Sequence, residues 1–254
     1  MISHLYIAGS GIQFLSQITL ETQSLVVESD CVAYLVNDPA MKIWVQENSK
    51  KSFDLDEDYF IDGGRDAAYR SICNRVMNFL KDYKHVCFLV YGHPLLLSSV
   101  SYMLIDECES HKDKVTYKLF PAISSLDMLL CDLKIDPGFR GIQCYEAKRL
   151  VDECIDLNKN TPLVIWQIGV VGVTNIIHGD YDCDMKENKV RREYLCRLYS
   201  HLRIYYPKKQ KVIFYQASIY SNKSPIIVEL ELSKLPESNP GRLVTAYLEP
   251  IGES

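Results

Sequence analysis

Arg65 and Tyr69 stand one helical turn apart in the stretch "FDLDEDYFIDGGRDAAY", directly after an acidic run and a glycine pair. A guanidinium near a phenol favours the phenolate, so these two residue types can build a proton acceptor or steady a developing oxyanion. From Arg65 onward, the positions Arg65, Tyr69, Ile72, Cys73, Val76, Met77 and Leu80 share one helical face, so a core-directed stripe opens with a cation and a phenol. A cation in a first helical turn opposes the macrodipole by roughly 0.3–1 kcal/mol and needs compensation. Two explanations compete. Arg65 pairs with Asp62, Asp66 or the run "DLDED" while Tyr69 is ordinary core, or Arg65 serves a buried anion of a reaction.

Two turns offer further chemistry. In "LVYGHPLLLSS" a buried strand ends in Gly92-His93-Pro94, and ligands of α/β sheets bind outside the carboxyl ends of strands; His93 is either a turn residue or part of such a site. "GSG" at Gly9 to Gly11 also follows a strand, but the third position of a dinucleotide fingerprint is Phe14 and no helix opens at once. A tight turn needing glycine dihedrals is the favoured reading there. The six histidines are isolated, with no H-x-x-x-H or Cys/His cluster, so no metal site is expected. Nine cysteines, an odd number without a C-x-x-C pair, sit mostly in apolar surroundings such as "SDCVAYLV", as reduced buried thiols do.

The elements that must position these residues alternate in type. Apolar, β-branched runs "HLYIAG", "CVAYLV", "HVCFLVYG" and "KVTYKLF" predict strands, and helical periods begin near Thr19, Pro39, Asp62 and Ser98. A short helix from "SSLDMLLCDL" and the loop "KIDPGFRG" follow. The second half predicts strands at "IQCYEA", "PLVIWQIG", "KVIFYQAS", "SPIIVELEL" and "RLVTAYLEP", with one long helix from about Glu187 to Tyr205. Three terminal strands without intervening helices imply antiparallel or mixed pairing. The expected architecture is α/β in two domains, 1–121 and 122–254.

Composition bounds the partners. A 254-residue chain with 47% hydrophobic residues can bury a sizeable core. The net charge is −5 and the basic residues are scattered, so no nucleic-acid footprint is present. No apolar run is long enough to span a bilayer and no signal sequence opens the chain, so a cytoplasmic protein without membrane contact is expected.

The motifs "YGHP", "PAISSLD", "CYEA" and "IWQIGVVGV", in this order, resemble the tetrapyrrole methylase superfamily of S-adenosylmethionine-dependent methyltransferases. Gly92-His93-Pro94 where most members carry Gly-Asp-Pro, together with "YEA" and "IWQ", is similar to the borosin peptide-backbone α-N-methyltransferases. So is the spacing of Tyr59, Arg65 and Tyr69. The chain departs from the pattern at Leu95, Ala122 and Leu126.

The resemblance implies a two-domain fold, with a mainly parallel sheet in the N-terminal domain, a mixed sheet in the C-terminal one, and S-adenosyl-L-methionine in the cleft between them, leaving as S-adenosyl-L-homocysteine. It implies catalytic roles for Tyr59, Arg65, Tyr69 and Tyr91, with Tyr59 the foremost base, and cofactor contacts from Tyr91, Gly92, His93, Pro94, Leu96, Ser124, Ser125, Tyr145 and Gln167. Ser124 is equally well placed to be a helix N-cap. Fused borosins carry their substrate after a helical clasp, whereas here "RLVTAYLEP" is followed only by "IGES"; the expectation is a split system, a homodimer that methylates a separate precursor peptide in trans. A precorrin-type methyltransferase and a non-catalytic cofactor- and peptide-binding protein of the same fold are the alternatives.

Overall fold

The computed structural model describes residues 2–173 and 185–251; the expected tail at 252–254 lies outside them. By packing, the chain forms two compact units, Met1–Met128 with Ser218–Lys223, and Leu129–Ala217 with Ser224–Ser254. The first boundary falls beyond the expected 121/122 division, and a short later segment joins the first unit.

Unit 1 is built on a five-stranded sheet, β1 (Ser3–Gly9), β2 (Cys31–Leu35), β3 (Ser52–Asp54), β4 (His85–Val90) and β5 (Val115–Phe120), in the order β3-β2-β4-β1-β5. Every pairing is parallel, with registers such as Ile7↔Phe88 and Ala33↔Phe88. The central strands read as unbroken apolar runs because both faces are covered. Leu5, Ile7, Ala33, Val86 and Phe88 face one core, shared with Ile72, Val76 and Leu104. Ala8, Val32, Tyr34, Cys87 and Leu89 face the other, shared with Val26, Met41 and Val45.

The helices between these strands begin where their caps dictate. α1 (Leu20–Glu28) is capped by Thr19, whose side chain accepts from Thr22 N, and α2 (Pro39–Asn48) by Asp38 with proline at its first position. A short α3 (Asp56–Tyr59) precedes α4 (Gly64–Asp82), whose N-cap Gly63 is left-handed at φ 108°. α5 (Ser99–Ser110) and α6 (Ser125–Leu133) follow. The sequence reading lacked β3 and α3: a three-residue edge strand and a single acidic turn are too short for any periodicity to register.

Unit 2 carries α7 (Pro137–Arg140), β6 (Gln143–Glu146), α8 (Ala147–Asp152), β7 (Leu163–Trp166), α9 (Met185–Leu202), β8 (Lys211–Gln216), β9 (Ile226–Glu231) and β10 (Thr245–Leu248). Its sheet runs β6-β7-β10-β8-β9. β6 and β7 are parallel, and the other pairings are antiparallel. The last strand thus inserts between β7 and β8 instead of extending the edge, and β9 is left as an edge strand. Leu195, Leu198 and Leu202 of α9 and Leu150 of α8 pack on Leu163, Ile165, Val212 and Phe214. No described helix is long and apolar enough to cross a membrane.

Candidate active site

Because all strands of unit 1 run the same way, their carboxyl ends lie along one edge of the sheet, and the loops leaving β1, β2, β4 and β5 gather there. Glycine sets how closely these loops approach. A Cβ on Gly9 would stand 2.2 Å from the Gly92 carbonyl oxygen and 2.9 Å from Pro94 Cδ. Gly11 and Gly92 then exchange backbone hydrogen bonds, 3.3 Å from Gly11 N and 3.0 Å from Gly92 N, with Gly92 in the left-handed region at φ 74°. "GSG" and "YGHP" are therefore two halves of one backbone contact, which places the tight-turn reading of "GSG" in a tertiary setting.

Within the β4 loop, Tyr91 prolongs the ladder by donating its N–H to Leu35 O at 3.1 Å. His93 Nδ1 accepts from Leu95 N at 3.2 Å, and Leu96 N donates to His93 O at 3.2 Å. Pro94 is buried, and Leu96 is half-buried. Burial pushes the Tyr91 hydroxyl up to about 12, and the Asp38 carboxylate adds to the effect.

Ser124 is the N-cap of α6. Its Oγ accepts from Leu126 N and Asp127 N at 3.2 Å, while Asp127 Oδ2 accepts from Ser124 N at 2.7 Å, a reciprocal capping box. Ser125, half-buried, opens the helix. In unit 2, Tyr145 on β6 packs partly against the core, opposite Ile165. Gln167 directly follows β7 at φ 57°, a left-handed conformation uncommon for glutamine, and leads into a 3-10 turn over Ile168–Val170.

The Tyr/Arg/Tyr set spans α3 and α4. Tyr59 ends α3 and Tyr69 lies in the second turn of α4; their ring centroids are 6.4 Å apart, and both rings pack against the core that holds Ile72 and Phe88. The expected stripe is present: Ala68, Ile72, Cys73, Val76 and Leu80 are buried, with Tyr69 and Met77 partly so. Arg65 is half-buried one turn before Tyr69.

Three carboxylates of the acidic run are engaged by other cations. Lys42 pairs with Asp54 at 3.0 Å and with Asp56. Asp58 pairs with Arg75 and accepts from Ser71 Oγ at 2.8 Å. The Arg65 side chain makes no hydrogen bond or ion pair with any described residue, so the carboxylate-paired explanation has no contact behind it. A guanidinium left in this state, one helical turn from Tyr69, is available to an incoming anionic group.

Sequence reasoning missed Asp38. "NDPA" announces a helix start, and Asp38 Oδ1 does accept from Ala40 N at 2.9 Å. Its burial had no local signal.

The edge of the sheet suits one kind of nucleoside. The segments 10–18, 36–38, 91–98 and 121–124 contain no lysine or arginine, and the carboxylate among them is Asp38. A phosphate would lack a cationic partner here, whereas a phosphate-free, positively charged nucleoside such as S-adenosylmethionine matches the donor set.

A parallel, helix-covered sheet with its site on the strand-end loops, joined to a mixed-sheet unit, defines the class, and comparison with known proteins names it. The family described as Tetrapyrrole (Corrin/Porphyrin) Methylases matches residues 4–152, and the chain belongs to it. A protein of Serendipita vermifera subsp. bescii named as a methyltransferase/ribosomally synthesized type I borosin cyclic peptide precursor is 34% identical over 171 residues, 67% of this chain and 41% of that one. A type II counterpart from Phlebiopsis gigantea is 32% identical over 188 residues, 74% of this chain and 32% of that one. The chain spans less than half the length of these two curated relatives. Among solved structures, uroporphyrin-III-C-methyltransferase from Thermus thermophilus shares the fold, with a TM-score of 0.63 at 12% identity over 98% of this chain and 93% of that one. A structure of that Thermus enzyme complexed with S-adenosylhomocysteine gives a TM-score of 0.62 at 14% identity over 97% of this chain and 92% of that one.

Proposed function

We propose that the protein is an S-adenosylmethionine-dependent methyltransferase that places methyl groups on backbone amide nitrogens of a precursor peptide. The observation that carries this reading is the half-buried Arg65, uncommitted to its local carboxylates, on the same helix face as Tyr69, with Tyr59 packed 6.4 Å from Tyr69. The printed names of the borosin relatives supply the substrate class. A separate peptide bound in trans and a homodimeric enzyme are proposed from the resemblance alone.

An amide nitrogen is a poor nucleophile because its lone pair is delocalised into the carbonyl. Removing the N–H proton while holding the charge on the carbonyl oxygen gives an imidate whose nitrogen can attack. Tyr59 is assigned as the base and Arg65 as the charge stabiliser. Arg65 also faces the oxyanion, and Tyr69 donates a hydrogen bond or takes the base role itself. S-adenosylmethionine supplies an electrophilic methyl on a sulfonium, leaving as the neutral thioether when the new N–C bond forms. Tyr91, Gly92, His93, Pro94, Leu96, Ser124 and Ser125 are assigned to its binding, and the resemblance adds Tyr145 and Gln167. Opposite charges disappear in the step, so excluding water lowers the barrier.

The test is incubation with S-adenosylmethionine and the peptide encoded beside this chain, read by intact and fragment masses. Methylene increments on backbone amides support the reading. Tyr59→Phe and Arg65→Ala should each lower turnover by about a hundredfold or more while S-adenosylhomocysteine affinity stays within about twofold. Methylation of a side chain or a tetrapyrrole, or wild-type turnover in both variants, would sink it.

A further inference from the structure

Trp166 closes β7 and is 8% exposed, yet its indole nitrogen is buried with no hydrogen-bond partner among the described residues. An indole N–H donates and cannot accept, and a buried donor left unsatisfied is destabilising and calls for an explanation. The sheet does not supply one. Leu163 and Ile165 face the core that holds Leu195 and Leu198, so strand alternation turns Trp166 to the opposite face. A donor on that face can be matched from within the chain: Phe214 faces the same core as Ile165, and its neighbour Tyr215 donates its hydroxyl to Asp132 Oδ2 at 2.6 Å. Glu146, directly across the ladder from Trp166, is instead taken by the start of α8, where its Oε2 accepts from Arg149 N at 2.7 Å.

The backbone after Trp166 is held in one arrangement. Gln167 is left-handed at φ 57°, and Gly169 approaches Gly241 so closely that a Cβ there would stand 2.0 Å from the Gly241 carbonyl oxygen. Left-handed backbone at a glutamine persists where its surroundings over-determine it, and such positions cluster at ligand sites. The half-buried Gln167 side chain also makes no hydrogen bond to a described residue. Two consecutive side chains with unmatched donors thus stand at the carboxyl end of a strand in the parallel pair β6/β7, which is where α/β sheets bind ligands. The segment 166–173 has no charged side chain, so it offers neutral donors and suits an uncharged acceptor. We infer that Trp166 is a binding residue for the methyl donor, its indole N–H donating to a ring nitrogen or hydroxyl oxygen of the adenosyl group. The identity of that ligand rests on the proposed function; the unmatched donor does not. The Tyr206 hydroxyl is buried and without a described partner too, but it lies in the core with Leu202 and Leu235, and it serves as the control.

The experiment reads S-adenosylhomocysteine binding by calorimetry, without turnover. Replacing Trp166 with 3-benzothienylalanine keeps the shape of the ring system and exchanges N–H for sulfur, so the fold should hold. Affinity should fall about tenfold, the scale of one neutral hydrogen bond, while the urea midpoint of the ligand-free protein does not drop. Trp166→Phe should lose affinity at least as far, and Tyr206→Phe should bind like the wild type. The chain has two tryptophans, so Trp44→Phe leaves Trp166 as the sole reporter. Its emission should change on addition of S-adenosylhomocysteine, with the dissociation constant that calorimetry gives. Wild-type affinity in the isosteric variant, an equal loss in Tyr206→Phe, or no binding by the wild-type protein overturns the inference. Binding that depends on Trp166 in a protein that methylates no backbone amide would leave the inference standing and remove the proposed function. Backbone methylation with binding indifferent to Trp166 would do the reverse.

Discussion

In unit 1 all five strands run parallel and four of them deliver their loops to one edge; in unit 2 only β6 and β7 share a direction, and β8, β9 and β10 alternate. The difference decides how much chemistry each sheet can gather. Parallel strands bring Gly9, Asp38, Tyr91 to Pro94 and Ser124 together although they are far apart in sequence. Antiparallel strands send successive ends to opposite edges, so unit 2 places Tyr145 and Gln167 through its one parallel pair. Burial follows the same divide: β4 is almost wholly covered, whereas Ile226, Ile227 and Val228 of edge strand β9 are exposed.

The sharpest way to break the comparison is to add one carbon to each unit. Gly9→Ala forces a Cβ to 2.2 Å from Gly92 O, and Gly169→Ala forces one to 2.0 Å from Gly241 O. Neither backbone can yield like a flexible side chain, so each should cost about 3 kcal/mol in urea denaturation. Gly9→Ala should also abolish S-adenosylhomocysteine binding, because it separates the two loops of the candidate site. A silent Gly9→Ala would mean those loops are not held together as described.

A smaller effect separates the units by their thiols. Cys31, Cys73, Cys87 and Cys108 of unit 1 are buried, whereas Cys131, Cys154 and Cys196 of unit 2 are exposed. Burial pushes the thiols of Cys31, Cys87 and Cys108 up to about 12 from the ordinary 9.0. The unfolded chain then loses these protons first, so the stability they contribute is complete below about pH 9 and drains away as pH rises towards 12. Urea midpoints should fall across that window, and native alkylation mapped by mass should mark Cys131, Cys154 and Cys196 well before any unit 1 thiol. Early labelling of Cys87 would contradict the two-sided covering of the parallel sheet.

The smallest effect tests the strand-end loop after β5. Ser124→Ala removes the acceptor for Leu126 N and Asp127 N and should cost about 1 kcal/mol. If donor affinity falls while stability changes only by that amount, Ser124 contacts ligand as well as capping α6. If affinity holds, the cap is its whole role.

The sequence by itself determined much of this protein. Alternating strand and helix periods gave the α/β order, helices start near Thr19 and Pro39 as expected, and three terminal strands implied a mixed sheet. These are local matters, set by side-chain period, capping and turn chemistry. The Tyr59, Arg65 and Tyr69 spacing was legible too, but its meaning came through resemblance. Only the tertiary structure decided that β10 enters between β7 and β8, since strand order depends on which buried faces match and not on chain order. It decided as well that Lys42 claims Asp54 and Asp56, that Arg75 claims Asp58, and that Asp38 is buried. Long-range pairing assigns charges to partners, and a local window along the chain does not contain it.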